Sequence, residues 1–359
     1  MLHPQASERA LIDQFLEALR SLPDVQVELD RGGAPAFDAQ VTLDVAGKRI
    51  HAILELKKAV YPRDVRQVVW RISDLARQRS VDESGTEALP MLIAESISPG
   101  AKELLRAERV GYFDSGGSLY LPARGAYLYV DQPPPKALSR SMRTLFAGRR
   151  AQVLHVLLVR HQDWFGVKDL AEEARVSSGT ASQVLTEMER FDWLTSRGQG
   201  PNKQRHLREP AALLDAWAQQ LTSIRPPALR RYFVPAMKPD GLMEHLAHVC
   251  EAHHVEYAIS FEVAAQRYAP FLSAVSQVRC RVLAGAGGDA VIADLGARVV
   301  SEGANLVVFE AKSAGDLLFR ERVGGVWLAS PVQVYLDLLR GEGRAKEMAE
   351  HLRRERIGF

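Results

Sequence analysis

The stretch FDAQVTLDVAGKRIHAILELKK, Phe37 to Lys58, constrains the fold of this chain more than any other. Apolar and polar residues alternate from Phe37 to Val45, break at Ala46-Gly47, and resume from Arg49, the period of two half-buried strands. A two-residue connection ending in glycine predicts a tight hairpin. Pairing Val45 with Lys48 then carries the ladder back to Asp38 opposite Glu55. That register sorts Phe37, Ala39, Val41, Leu43 and Val45 onto one face with Ile50, Ala52, Leu54 and Leu56. Asp38, Gln40, Thr42 and Asp44 share the other face with Arg49, His51, Ile53, Glu55 and Lys57. A slip of one residue scrambles the sorting, so the pairing is well specified. Asp38, Glu55 and Lys57 are expected to converge on one spot.

The elements around the hairpin extend it into an α/β sheet domain. Apolar spacing predicts a helix over 8–22, with Ser7 as its cap, and a short strand near 25–29 before a Gly32-Gly33 turn. A second helix follows Tyr61-Pro62, with Val65, Val68, Val69, Ile72, Leu75 and Ala76 inward and Arg63, Arg66, Arg71 and Arg77 outward. Pro90 to Ala94 reads as a buried strand, and Ser98-Pro99 opens another helix. Strands near 111–113 and 119–121 flank the turn at Asp114-Ser115-Gly116-Gly117. The run QPPPK, Gln132 to Lys136, continues neither a helix nor a central strand, so the first domain is placed at 1–131.

The second segment, 137–222, changes character. Helices are expected over 151–159, 167–174 and 178–191, the last two joined by a tight turn at Arg175-Val176-Ser177. A glycine-turned ribbon then carries Arg197, Lys203, Arg205, His206 and Arg208. Two helices at a tight turn followed by a basic hairpin predict a winged helix-turn-helix. The third segment, 228–359, follows Arg225-Pro226-Pro227 and mixes strands (278–283, 305–310) with helices, Ser330-Pro331 capping one that ends at Gly341. The fold class expected is therefore multidomain α/β.

Length and charge narrow the partners. At 359 residues the chain can form two or three cores, and a net charge of +2 leaves nucleic-acid affinity to local patches. Between Arg140 and Pro210 basic residues outnumber acidic ones, which marks the second segment. Cys250 and Cys280 form no spaced pair, which points to a reducing compartment. Glu8, Asp13 and Glu17 interrupt any leader-like apolar run near the start, and no stretch has the length of an uncharged membrane span. A soluble, cytoplasmic protein with no membrane partner is the expectation.

Asp38, Glu55 and Lys57 are the side chains that metal-dependent phosphodiester cleavage needs. Two carboxylates, Asp38 and Glu55, hold a hard divalent ion such as magnesium, while Lys57 helps activate water and stabilise charge on the phosphate. A solvated face with cross-strand ion pairs alternates in the same way and needs no catalysis. A second Glu-x-Lys, Glu310-Ala311-Lys312, has no aspartate placed opposite it by a recognisable hairpin and reads as a decoy. Ser178, Gly179, Thr180 and Gln183 open the third helix of the second segment, where short polar groups reach phosphates and base edges. Arg197, Lys203, Arg205 and His206 would grip the backbone of double-stranded DNA. The histidines in GLMEHLAHVCEAHHVEY, with His245 and His248 one helical turn apart, are expected to be solvated beside buried Leu242, Leu246 and Val249 rather than to hold a metal.

Together with the element order, the Asp38, Glu55 and Lys57 set over about residues 5–130 resembles the PD-(D/E)xK nuclease superfamily, with Phe37 where many members carry proline. The run LELKKAVYPRDVRQVV, and MLIAESISPGAKELLRAERVGYFDSGGSLYL after it, resemble the amino-terminal region of AbiEi-type proteins. YAISFEVAAQRYAPF and VWLASPVQVYLDLLRGEGRAKE resemble the carboxy-terminal domain of that family. These proteins are transcriptional regulators or antitoxins of type IV toxin–antitoxin systems. The resemblance implies a winged helix that represses its own operon, and opposition to a toxin without a stable complex. The regulator reading needs no cofactor, leaves enzyme activity open, and is in keeping with a homodimer on a palindromic site. Here the winged helix stands between the other domains rather than leading the chain. The alternative is a magnesium-dependent DNA endonuclease targeted by the winged helix.

Overall fold

The computed structural model describes residues 4–30, 38–79, 88–123, 126–221, 229–235, 238–272 and 274–359. Phe37, the Gly32-Gly33 turn and the Arg225-Pro226-Pro227 linker lie outside them. The described chain is mixed α/β and divides into two compact units, Met1–Met142 with Thr186–Asp192, and Arg143–Leu185 with Trp193–Phe359. Among the described residues no helix is long and apolar enough to cross a membrane.

The first unit runs α1 (Pro4–Arg20), β1 (Val25–Asp30), β2 (Ala39–Val45), β3 (Lys48–Val60), α2 (Pro62–Arg79), β4 (Leu89–Ile97), α3 (Pro99–Ala107), β5 (Gly111–Asp114), β6 (Leu119–Ala123) and β7 (Ala126–Val130). Its strands form one sheet in chain order, with β3, β4 and β5 parallel and the other neighbours antiparallel. The hairpin has the register that its alternation demands: Val45 pairs with Lys48, Thr42 with His51 and Ala39 with Leu54. Ala46 and Gly47 both take positive φ, 50° and 81°, the primed-turn geometry that matches strand twist. Asp44 helps by accepting the Gly47 N–H at 2.9 Å.

The face carrying Ala39, Val41, Leu43, Val45, Ile50, Ala52, Leu54 and Leu56 packs with Leu11, Phe15, Leu16 and Leu19 of α1. On the opposite face Val65, Val68 and Ile72 of α2 and Ala101 and Leu105 of α3 pack with Val60, Leu92 and Tyr112. Helix α3 starts where serine and proline ask, Ser98 accepting the Ala101 N–H at 3.3 Å. One turn into α3, Lys102 is buried and reaches Asp114 at 2.7 Å and Ser118 Oγ at 2.7 Å. The turn after β5 closes on the same carboxylate, Asp114 Oδ1 accepting the Gly116 and Ser118 N–H groups.

After α4 (Lys136–Leu145) come α5 (Gly148–Val159), β8 (Trp164–Phe165), α6 (Val167–Glu173), α7 (Ser178–Arg190), β9 (Leu194–Arg197), β10 (Gln204–Leu207) and α8 (Pro210–Leu221), which belong to the second unit except for α7 from Thr186 onward. The three short strands form a sheet in the order β8-β10-β9. A second seven-stranded sheet is built from β11 (Leu229–Phe233), β12 (Tyr257–Ser260), β13 (Val278–Leu283), β14 (Arg298–Val299), β15 (Leu306–Ala311), β16 (Glu321–Val323) and β17 (Val326–Leu328). Its order is β14-β11-β15-β13-β12-β17-β16, with β13 parallel to β15 and β12 to β17. The helices α9 (Pro239–Ala252), α10 (Phe261–Tyr268), α11 (Ala286–Asp294), α12 (Pro331–Leu338) and α13 (Ala345–Leu352) complete it. Ser330 caps α12 by accepting the Gln333 N–H at 3.2 Å. The same hydroxyl lies 2.6 Å from Nε2 of buried His155 on α5, which ties the three-stranded sheet's helices to the larger sheet's.

Candidate functional site

The hairpin and the parallel strand β3 bring Asp38, Glu55 and Lys57 together in the first unit. Asp38 lies just before β2, its N–H bonded at 3.2 Å to the carbonyl of Leu54, the residue already paired with Ala39, so the ladder stops at Ala39–Leu54 and does not set Asp38 directly opposite Glu55 as the alternation predicts. Its carboxylate turns across the strand, Oδ2 accepting the Leu56 N–H at 2.7 Å, midway between Glu55 and Lys57. Glu55 is only 2% exposed. A buried carboxylate is tolerated when cations meet it, and here two do. Lys57 Nζ stands 2.9 Å from Oε1, and Arg71 Nε, from the third turn of α2, stands 3.4 Å from Oε2. The second contact lacks hydrogen-bond geometry, so it is an ion pair alone. Beside the triad a cavity of about 260 Å³ is lined by Glu55, Lys57, Asp64, Gln67 and Arg71.

Arg71, Gln67 and Asp64 are the residues that sequence reasoning did not join to the site. The signal available was positional: a helix returning over a parallel strand covers the strand's end with its own first three turns, so polar residues there face whatever the strand presents. Arg71 was legible as an outward cation of α2, and its target was not.

Magnesium needs several oxygen ligands in near-octahedral array. Both Glu55 oxygens face protein cations, and Asp38 Oδ2 is committed to a backbone amide. Among the described residues no group of three or more His, Cys, Asp or Glu side chains is placed to hold a metal ion. In this arrangement the donor set does not fit a divalent ion, and no step is routed through one. What the geometry does supply is a neutralised carboxylate with two half-exposed cations at the mouth of a cavity.

The polar residues at the start of α7 divide by exposure. Ser178, Gly179 and Gln183 are exposed and Thr180 is half-buried, while Ala181, Val184, Leu185 and Met188 are fully buried. Ser177 caps the helix, its Oγ accepting the Thr180 N–H at 3.2 Å. In the three-stranded sheet Arg197 is exposed, and Lys203 and His206 are half-buried. Trp164, not singled out from sequence, is the platform they share: Arg197 lies 4.2 Å above its ring and His206 packs against it at 5.2 Å. Arg205 is different. Strand alternation turns it inward with Leu207, and it is only 9% exposed, so the structure removes it from the outward basic set.

On α9, Leu242, Leu246 and Val249 are buried, His245 is half-buried and His248 is exposed. His253 pairs with Asp294 at 2.9 Å. Cys250 and Cys280 are free and buried, and burial pushes both thiols up, Cys250 to about 12. Glu310 lies on β15, exposed, and pairs with Arg230 at 2.6 Å.

Comparison of the chain with protein-family models, curated proteins and solved structures finds no match.

Proposed function

We propose that the protein is a DNA-binding transcriptional regulator that uses a winged helix-turn-helix spanning α5 to β10. One observation carries this reading. The start of α7 presents Ser178, Gly179 and Gln183 to solvent on a helix whose opposite side is fully buried, beside a small sheet that presents Arg197 stacked on Trp164. A recognition helix needs a rigid seat and short polar residues at its amino-terminal end, and a wing needs cations held outward. Thr180, Lys203 and His206 supplement the contact, and Arg205 is buried behind them in β10. In the same reading the first unit is a nuclease-like sheet without assembled metal ligands, and the carboxy-terminal part is an AbiEi-like regulatory or antitoxin domain acting with a toxin but not bound to it.

The test is an electrophoretic mobility shift with duplex DNA from upstream of the gene. Arg197→Ala and Gln183→Ala are each expected to weaken binding by about tenfold, with Gln183→Ala also relaxing sequence preference. Unchanged shifts in both variants would reject the DNA reading. The nuclease alternative requires Glu55 to exchange Lys57 and Arg71 for magnesium. Cleavage of the same duplex with magnesium, lost in Lys57→Ala, would install that reading instead.

A further inference from the structure

We propose that the larger sheet of the second unit holds a binding site for a small organic anion, a phosphate monoester or carboxylate carried on a compact apolar body. The site is independent of the DNA-binding face.

Strand register defines its floor. Arg231 on β11 pairs with Val307 on β15, which pairs with Arg279 on β13, so two guanidinium groups flank one valine across the sheet. The next row on the same face is Leu229, Phe309 and Arg281, with a single guanidinium. Neighbouring strands are about 4.8 Å apart, which puts the two arginines of the first row about 10 Å apart on the same face. Like charges at that spacing over apolar residues call for anions between them.

For the row of Arg281 the anion is in the protein. Asp337 on α12 is buried and meets Arg281 at 2.5 Å, Ser260 Oγ at 2.6 Å and Gln333 Nε2 at 2.9 Å. For the row of Arg231 it is so on one side only: Arg279 donates to Gln277 Oε1 at 2.8 Å and lies 3.8 Å from Glu262, while Arg231 has no ion-pair partner among the described residues. Arg340, just beyond α12, adds a third cation whose Nε is buried with no hydrogen-bond partner among the described residues. Burial is the largest influence on that guanidinium and disfavours its charged form, a cost that an arriving anion would offset. Glu342, exposed at the rim, is the remaining acidic group in the wall.

These cations surround a cavity of about 110 Å³ whose apolar wall includes Leu229, Phe261, Val307 and Phe309. Phe261 enters α10 with φ at 57°, a left-handed conformation that a bulky residue adopts only when its surroundings impose it. Its ring stacks on Phe309 at 5.2 Å with an interplanar angle of 17°. Pockets for drug-sized ligands run to about 300–1,000 Å³, so this one suits a fragment, with the anion toward Arg231 and Arg340 and a small apolar body against the wall.

The experiment is calorimetric titration of the full chain with phenyl phosphate, benzoate, inorganic phosphate and benzyl alcohol. Saturable binding of phenyl phosphate or benzoate at one site is expected, weaker binding of inorganic phosphate, and none of benzyl alcohol. The stronger of the two aryl anions identifies the headgroup. Losing a charge-assisted bond corresponds to about tenfold or more in affinity, the drop expected for both Arg231→Ala and Arg340→Gln. Arg231 is exposed, so its variant keeps the fold even where Arg340→Gln does not; Arg230→Ala, the adjacent residue on β11 paired with Glu310, is expected to leave affinity unchanged. No saturable binding up to about 10 mM, or equal binding by Arg231→Ala, overturns the proposal. So does a matching loss of duplex DNA binding in Arg231→Ala, which would assign these arginines to a nucleic-acid surface.

Discussion

Two described strands carry Glu-x-Lys toward their carboxy-terminal ends, and the two treat the glutamate in opposite ways. On β3, Glu55 is enclosed, 2% exposed, with Lys57 and Arg71 on its oxygens. On β15, Glu310 is 46% exposed and shares a surface ion pair with Arg230, itself 54% exposed. Both strands run parallel to a neighbour, so strand direction does not separate them. The difference lies in what covers the strand's end. Helix α2 follows β3 immediately and returns over it, while a short turn of 3₁₀ helix, Ala314–Leu317, follows β15. A three-residue motif therefore has no chemistry of its own until the next element decides its exposure.

Three measurements probe that contrast between enclosed and solvated charge, beginning with the largest expected effect. Lys102→Met strands the fully buried Asp114 without its cation and is expected to cost about 3–5 kcal/mol in chemical denaturation. A loss below 1 kcal/mol would mean that burial is not what gives such pairs their weight.

The second concerns a buried base. Burial, then the nearby Arg281 charge, hold the His155 pKa at about 4, with Asp337 opposing. An unfolded histidine titrates near 6.5, so as pH falls from about 6.5 to about 4 the unfolded chain takes up a proton that the folded one refuses. The contribution is nil above that window and destabilises by up to about 3 kcal/mol at its lower end. His155→Gln is expected to flatten this part of the stability–pH profile; an unchanged slope would show that His155 charges in place.

The third tests the two motifs directly. Glu55→Ala removes an enclosed carboxylate whose partners, 39% and 49% exposed, can turn to water, so a loss of about 1–3 kcal/mol is expected. Glu310→Ala breaks a solvated pair and should stay within about 0.5 kcal/mol. Equal losses in thermal or urea unfolding would erase the distinction.

The hairpin was readable from sequence because its information is local: period-two alternation and a two-residue turn leave one register. Ser98-Pro99 and Ser330-Pro331 were readable for the same reason, since a cap is satisfied within three residues. Strand β7 was not, because all five of its residues are apolar or aromatic, so no polar face marks the alternation that packs Ala126, Leu128 and Val130 on the core and leaves Tyr127 and Tyr129 exposed at the sheet's edge. Helix α4 was hidden by the prolines before it. The site was half legible. The shared face of Glu55 and Lys57 follows from period-two alternation, but Asp38 reaches β3 through backbone contacts outside the paired register and the Arg71 contact arises from helix-on-sheet packing. Arg205 stands apart from the basic ribbon only when alternate residues are separated, since it turns inward with Leu207. The arginine rows of the larger sheet join strands distant in sequence, beyond any local pattern.

The turn at Ala46-Gly47 bears on the order in which the first sheet assembles. Closing a two-residue loop costs little chain entropy, and antiparallel hairpins form in about 1–10 μs. The parallel pairing of β3 with β4 must instead wait for the 28 residues between Val60 and Leu89, including all of α2, to be drawn in. The hairpin thus offers the rest of the sheet a ready template with its faces already sorted. Ala46, held at φ 50° where glycine would sit with less strain, takes from that template some of the stability that its turn could give.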